Sequence, residues 1–211
     1  RISGLRKHKT YLPKNIEGSS QYITDLNQVD LNTGKWLILT RRKDTLLKLM
    51  KELIKRNVYF ETKKGKSFKV RLYKAAASYT RWTMGEILET HEIKDIQDFM
   101  GTEKWNVKQP WYDAFIKAAD QEVTYIRNML EKNEKLTEKA RIFLSTIHAI
   151  KGGEEDNVIL SLELGTKIIK AMRRSRDKAD EEHRVWYVGT TRAKNNLYKL
   201  KAKIARKGYA L

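Results

Sequence analysis

The sequence predicts an α/β domain with a mostly parallel sheet flanked by helices and interrupted by a small helical insertion. Three observations carry that prediction. Short apolar runs alternate with amphipathic stretches toward both ends of the 211 residues, at "WLILT" (36–40), "IFLST" (142–146) and "NVILSLEL" (157–164), and strands that alternate with helices pair in parallel. Between about 62 and 140 that alternation gives way to helical spacing. A hydrophobic fraction of 40% suits a chain long enough to bury a core in one domain carrying an insertion.

Taken in order, "WLILT" reads as a strand. "DTLLKLMKELIKR" follows it with Leu46, Leu49, Met50, Leu53 and Ile54 at helical spacing, and Asp44 or Thr45 can cap the helix. "VYFE" (58–61) is the next strand candidate. The insertion contains Ala75 to Ala77, Trp82, Trp105 and Trp111. After Pro110 a single helix is expected, with Tyr112, Phe115, Ile116, Ala119, Val123, Ile126 and Leu130 forming its stripe. Its Trp residues read first as core and second as base-stacking platforms. A helix from about Glu181 to Arg192, with Val185, Trp186 and Val188 toward the core, leads into the strand "NLYKL" (196–200).

Forty-four Lys and Arg against 26 Asp and Glu leave a net charge of +18, a field that attracts polyanions and is weakened by salt. Nucleic acid is the leading partner, with a merely lysine-rich surface as the alternative. There is no cysteine, so disulfides and thiolate metal sites are excluded. No apolar run approaches the roughly 18 residues of a membrane span, so no membrane partner is expected. The chain starts "RISGLRKHKT" and reads as an excised piece of a cytoplasmic protein.

The stretch "KKGKSF" (63–68) imitates the end of a phosphate-cradling loop. The pattern G-x-x-x-x-G-K-[ST] needs a glycine where Phe60 stands, and a bulky residue does not take the required backbone angles freely. A phosphate loop is therefore not expected here. Two other segments carry chemistry. In "STIHAIKGGEEDNVIL" (145–160) a strand end leads Thr146, His148 and Lys151 into a turn at Gly152 and Gly153, with Glu154 and Glu155 beyond. Hydroxyl, imidazole and ammonium groups at a strand's carboxyl end can hold a phosphodiester, and a carboxylate can accept from ribose hydroxyls. A lone His is more often a satisfied polar residue, and without a second His or a suitable carboxylate cluster it is not expected to ligate a metal. In "DEEHRVWYVGTTRAKNNLYKL" (180–200) Gly189 permits close packing and Arg192 stands at the helix end. A guanidinium facing a triphosphate stabilises the transferred phosphoryl charge, whereas one pairing with a helix C-terminus or a surface carboxylate is structural; spacing alone favours the structural reading.

Together, "STIHAIKGGEEDNV" and "EEHRVWYVGTTRAK" resemble motifs V and VI of the UvrD/Rep/PcrA-like superfamily 1 DNA helicases, T-x-H-x-x-K-G-x-E and E-E-x-R-x-x-Y-V-x-x-T-R-A. "WLILTRRKDTLLKLMKELIKRNVYFE" is similar to that family's strand, arginine, helix and strand ahead of its insertion, and "GKSF" to its G-x-x-F. On this likeness Gly65 and Phe68 matter and Lys66 and Ser67 are incidental. The resemblance covers about 1–75 and 140–205, with Gly153 standing where a leucine is usual and His183 where an arginine is.

The resemblance implies a discontinuous second RecA-like domain (1–61 and 141–211) with a helical insertion (62–140). It implies an ATP-dependent helicase moving along single-stranded DNA, 3'-to-5', and unwinding duplex. Arg192 would be catalytic; Glu154 and Gly152 would join it in binding the nucleotide; Thr146, His148, Lys151 and Arg41 would lie along the DNA strand. ATP and magnesium would be held mainly by a first RecA-like lobe that these residues do not include, so the chain alone is expected to be inactive. The expected partners are single-stranded DNA, duplex junctions and a protein partner for the insertion; a bacterial or phage source is implied. The alternatives are a non-catalytic basic nucleic-acid-binding module and a protein-interaction scaffold that kept the fold.

Overall fold

The structure, a computed structural model, describes residues 17–101, 105, 108–150 and 152–211. It contains two compact units: the described residues up to Glu52 with Phe60–Lys63 and Arg141–Leu211, and the described residues of Leu53–Tyr59 and Lys64–Ala140. No helix among the described residues is long and apolar enough to cross a membrane.

The first unit is built on strands β1 (Ser19–Ile23), β2 (Trp36–Thr40), β3 (Glu61–Thr62), β5 (Ile142–Thr146), β6 (Glu155–Ser161) and β7 (Ala193–Leu200). They lie in the order β1-β7-β6-β2-β5-β3, and the pairings along that order are parallel. The chain is thus α/β with a parallel sheet, as its alternating pattern predicts. β2 sits centrally and is buried at all five positions. That explains its unbroken apolar run, since parallel strands are covered on both faces. Helix α1 (Lys43–Lys55) follows it, as the spacing of Leu46 to Ile54 predicts. Leu37 and Leu39 of β2 and Val158 and Leu160 of β6 pack with Trp186 of helix α7 (Arg176–Thr190).

Within α7 the buried residues are Glu182, Trp186 and Gly189, at i, i+4 and i+7, one face of a helix. Val188, expected inward, is 39% exposed, because two residues beyond Trp186 is nearly the opposite side of a 3.6-residue turn. At Gly189 an added Cβ would lie 3.0 Å from Leu160 and 3.3 Å from Ile147, so the helix meets the sheet where only a hydrogen fits. The strand read at 58–61 is reduced to Glu61–Thr62. Tyr59 and Phe60 are buried all the same, so the apolar signal reported burial rather than pairing.

The second unit contains the two-residue strand β4 (Gly65–Lys66) and helices α2 (Val70–Thr83), α3 (Thr90–Met100), α4 (Trp111–Ala114) and α5 (Asp120–Glu131). The single helix expected after Pro110 is therefore two. The break follows from Phe115, which leaves helical geometry (φ −88°, ψ 58°) and is buried against Phe99, Tyr79 and Trp111 at 5.7–5.9 Å between ring centroids. Lys117 N–H then donates to the Phe99 carbonyl, and Ile116 is 70% exposed. Three aromatic contacts outweigh the continuation of one helix. Trp111 is core, and Trp82 and Trp105 pack against that core.

Lys66 and Ser67 are not incidental. Lys66 Nζ donates to the carbonyls of Leu136, Thr137 and Glu138, and Ser67 Oγ accepts from Tyr125 Oη at 2.8 Å. The lysine of the false phosphate loop is occupied by backbone oxygens. Gly65, at φ 116°, supplies a backbone angle L-residues rarely adopt, and Phe68 enters the core.

Candidate functional site

The sheet is parallel, so strand direction sorts the expected site residues. β2 and β5 end at Thr40 and Thr146, side by side in register, and the next residues on each chain form the carboxyl edge. There Thr146 is half-buried and its carbonyl accepts from the N–H groups of Ala149 (3.0 Å) and Ile150 (3.2 Å). This tight turn presents His148 at the surface.

Arg41 leaves β2 at the same edge and is gripped by Glu182 of α7, Nε to Oε1 at 2.8 Å and Nη2 to Oε2 at 3.0 Å. The side chains are 22% and 6% exposed. A fork-to-fork pair of this kind fixes both groups in orientation, and the two Nη1 hydrogens remain for any phosphate. His148 stands within the field of this pair. Burial holds its imidazole below the usual 6.5, the Arg41 charge adds to that, and Glu182 opposes it. Lys151 lies outside the described residues.

The segment after His148 does not stay at this edge. It runs to the start of β6, where Glu155 N–H donates to the Arg192 carbonyl at 3.1 Å and Glu155 pairs in register with Ala193 of β7. Glu154 and Arg192 therefore lie at the amino edge. β6 places the two edges roughly 20 Å apart, at about 3.3 Å per residue. Gly152 turns the chain in the left-handed region (φ 69°), and an added Cβ at Gly153 would lie 2.6 Å from Ile150 Cδ1. The Ile150 side chain thus fills the space beneath the motif.

At the amino edge Arg192 Nη1 is 3.7 Å from Glu154 Oε1, with side chains 18% and 42% exposed. Arg192 does not project freely. Its Nε donates to the Val188 carbonyl at 3.1 Å and its Nη2 to Thr191 Oγ1 at 3.2 Å, so it folds back onto the C-terminal turn of α7, as the structural alternative for this residue describes. The same geometry brings together two side chains, distant in sequence, that are expected to hold a nucleotide.

Sequence reasoning missed Glu182, the acidic member of the buried pair. Its signal was a carboxylate four residues before Trp186 on the same helical face, a place where an acid requires a cation partner.

The family model for the UvrD-like helicase C-terminal domain matches residues 121–203. That span takes in β5, β6, α7 and β7 and every expected site residue except Arg41. A search of curated proteins finds no match. Over residues 121–203 the chain is similar to a UvrD-like helicase C-terminal domain.

Proposed function

We propose that this domain is the second lobe of an ATP-dependent DNA helicase, with its nucleotide contacts at the amino edge of the sheet and its DNA-strand contacts at the carboxyl edge. The observation that carries the reading is the meeting of Arg192 and Glu154. A guanidinium and a carboxylate suit the two ends of a nucleotide, the first a phosphate and the second ribose hydroxyls. ATP with magnesium would supply the phosphoryl-transfer chemistry, held by a phosphate loop on a first lobe.

In this reading Arg192 exchanges its partners. The Val188 carbonyl, Thr191 hydroxyl and Glu154 carboxylate occupy it without nucleotide, and a γ-phosphate offers two anionic oxygens to the planar fork. Glu154 is released at the same time to meet the ribose. Thr146 and His148 contact the phosphodiester of a single strand, with Lys151 beside them in sequence and Arg41 held in place by Glu182. His148, kept neutral more readily than an ordinary imidazole, acts as a hydrogen-bond donor rather than a charge. His148 and Glu154 lie at opposite edges, and helix α7 reaches one edge through Glu182 and leads to the other at Arg192, which gives movement along DNA a physical link to the nucleotide state. The 3'-to-5' direction is taken over from the resemblance.

The test is Arg192→Ala in the full-length protein. Turnover stimulated by DNA should fall about 10³-fold or more with the melting temperature nearly unchanged, and Arg192→Lys should restore little. A lowered melting temperature with kcat per folded molecule preserved would leave Arg192 a helix cap and remove the nucleotide reading.

A further inference from the structure

The geometry points to a second nucleic-acid contact, a phosphate-backbone site on the outer face of helix α6 (Thr166–Arg174) formed by Lys167, Lys170, Arg173 and Arg174. It shares its class of partner with the function proposed above but uses none of those residues.

The sequence of α6 is TKIIKAMRR, four cations in nine residues with no acid. Ile168, Ile169 and Met172, partly buried, pack against the core cluster that includes Trp186, while all four cations are exposed. Among the described residues none of the four takes part in a hydrogen bond or ion pair of its side chain. Several exposed cations elsewhere are neutralised locally: Arg71 by Asp95 and Asp98, Arg81 by Glu92, Arg127 by Glu131, Lys178 by Glu181. The face of α6 thus gathers four uncompensated charges within nine residues.

Helix stability does not account for it. Arg173 and Arg174 in the last turn suit the helix dipole, but Lys167 sits in the first turn, where a cation is unfavourable and an acid is preferred. Lys167, Lys170 and Arg174 are spaced i, i+3 and i+7 on one face. Their span is about 10 Å at 1.5 Å per residue, a length over which one strand of a duplex carries about three phosphates. A membrane surface is the poorer fit, because a helix that lies on lipid inserts its apolar face, and here Ile168, Ile169 and Met172 are already packed against the core around Trp186.

The test uses the full-length protein without nucleotide and a fluorescein-labelled single strand about twenty nucleotides long. Changing all four cations to Gln should weaken binding about tenfold or more at low salt and flatten the plot of log affinity against log salt by about 0.7 for each phosphate no longer neutralised. Lys167→Glu alone supplies a control against misfolding. It should raise or leave unchanged the melting temperature, since an acid in the first turn favours the helix, while still weakening binding. Unchanged affinity and salt slope in the quadruple variant would overturn the site, as would a quadruple variant that keeps the DNA affinity of the unaltered protein but loses its binding to anionic vesicles. Turnover separates the two readings: with saturating DNA the quadruple variant should retain kcat, whereas Arg192→Ala should lose it and still bind the oligonucleotide.

Discussion

The two edges of the sheet carry the same kinds of group in opposite states. At the carboxyl edge Arg41 and Glu182 form a buried, two-pronged pair. At the amino edge Arg192 and Glu154 stand 3.7 Å apart with the carboxylate in solvent. A buried pair is costly to open, because either partner left alone keeps its desolvation penalty. An open pair is worth roughly 0–1 kcal/mol and is easily exchanged. The difference teaches that an arginine and an acid in contact are not one structural statement: here one pair positions and the other can release.

Three measurements break or sharpen that contrast. Arg41→Ala should have the largest effect on stability, about 3 kcal/mol in urea unfolding, since Glu182 is left charged and buried. Glu182→Gln should cost less, about 1–2 kcal/mol, since Arg41 retains some access to water and the amide can still accept one bond. If Arg41→Ala cost no more than Arg192→Ala, the two edges would not differ as described.

A pH titration of stability tests the field around the Arg41 pair. The His148 imidazole is depressed below 6.5 in the folded protein, so the unfolded chain binds this proton more readily. Its contribution is fully present above pH 6.5 and disappears as the pH falls through the lower folded value. His148→Ala should flatten the fall in urea midpoint between about pH 7 and 5. An identical slope in the variant would mean that Arg41 and burial do not act on this ring.

The smallest effect belongs to the open pair. A double-mutant cycle between Glu154→Ala and Arg192→Ala should give a coupling energy of at most about 0.5 kcal/mol without nucleotide. A coupling of several kcal/mol would make the amino edge as fixed as the other.

Legibility in the sequence followed the range of the interactions. β2 and β5 were readable to the residue, because a buried parallel strand has an apolar run of its own. β1 was not. It is SSQYI, exposed at four of five positions, and is a strand because it pairs with β7 near the other end of the chain, in the register Ser19 to Asn196. α6 is not among the helices the sequence predicts although Ile168, Ile169 and Met172 stand at helical spacing, since four cations in nine residues leave little apolar signal. The site divides in the same way. The sequence collects Thr146, His148, Gly152 and Glu154 in one stretch, but only the sheet shows that the stretch connects two edges, and only the fold shows that Arg192 meets Glu154 and Arg41 meets Glu182.

The three carbonyls held by Lys66 lie 70 to 72 residues farther along the chain, so one ammonium closes the neck of the whole excursion between them. Holding together the ends of such a loop costs roughly (3/2)RT ln n, about 4 kcal/mol, and that figure moves by only about 0.6 kcal/mol when the loop doubles in length. The neck is therefore nearly indifferent to what it encloses. Helical inserts of very different size could be spliced in beyond it at almost constant entropic expense, provided the lysine and the oxygens it clasps stay in place.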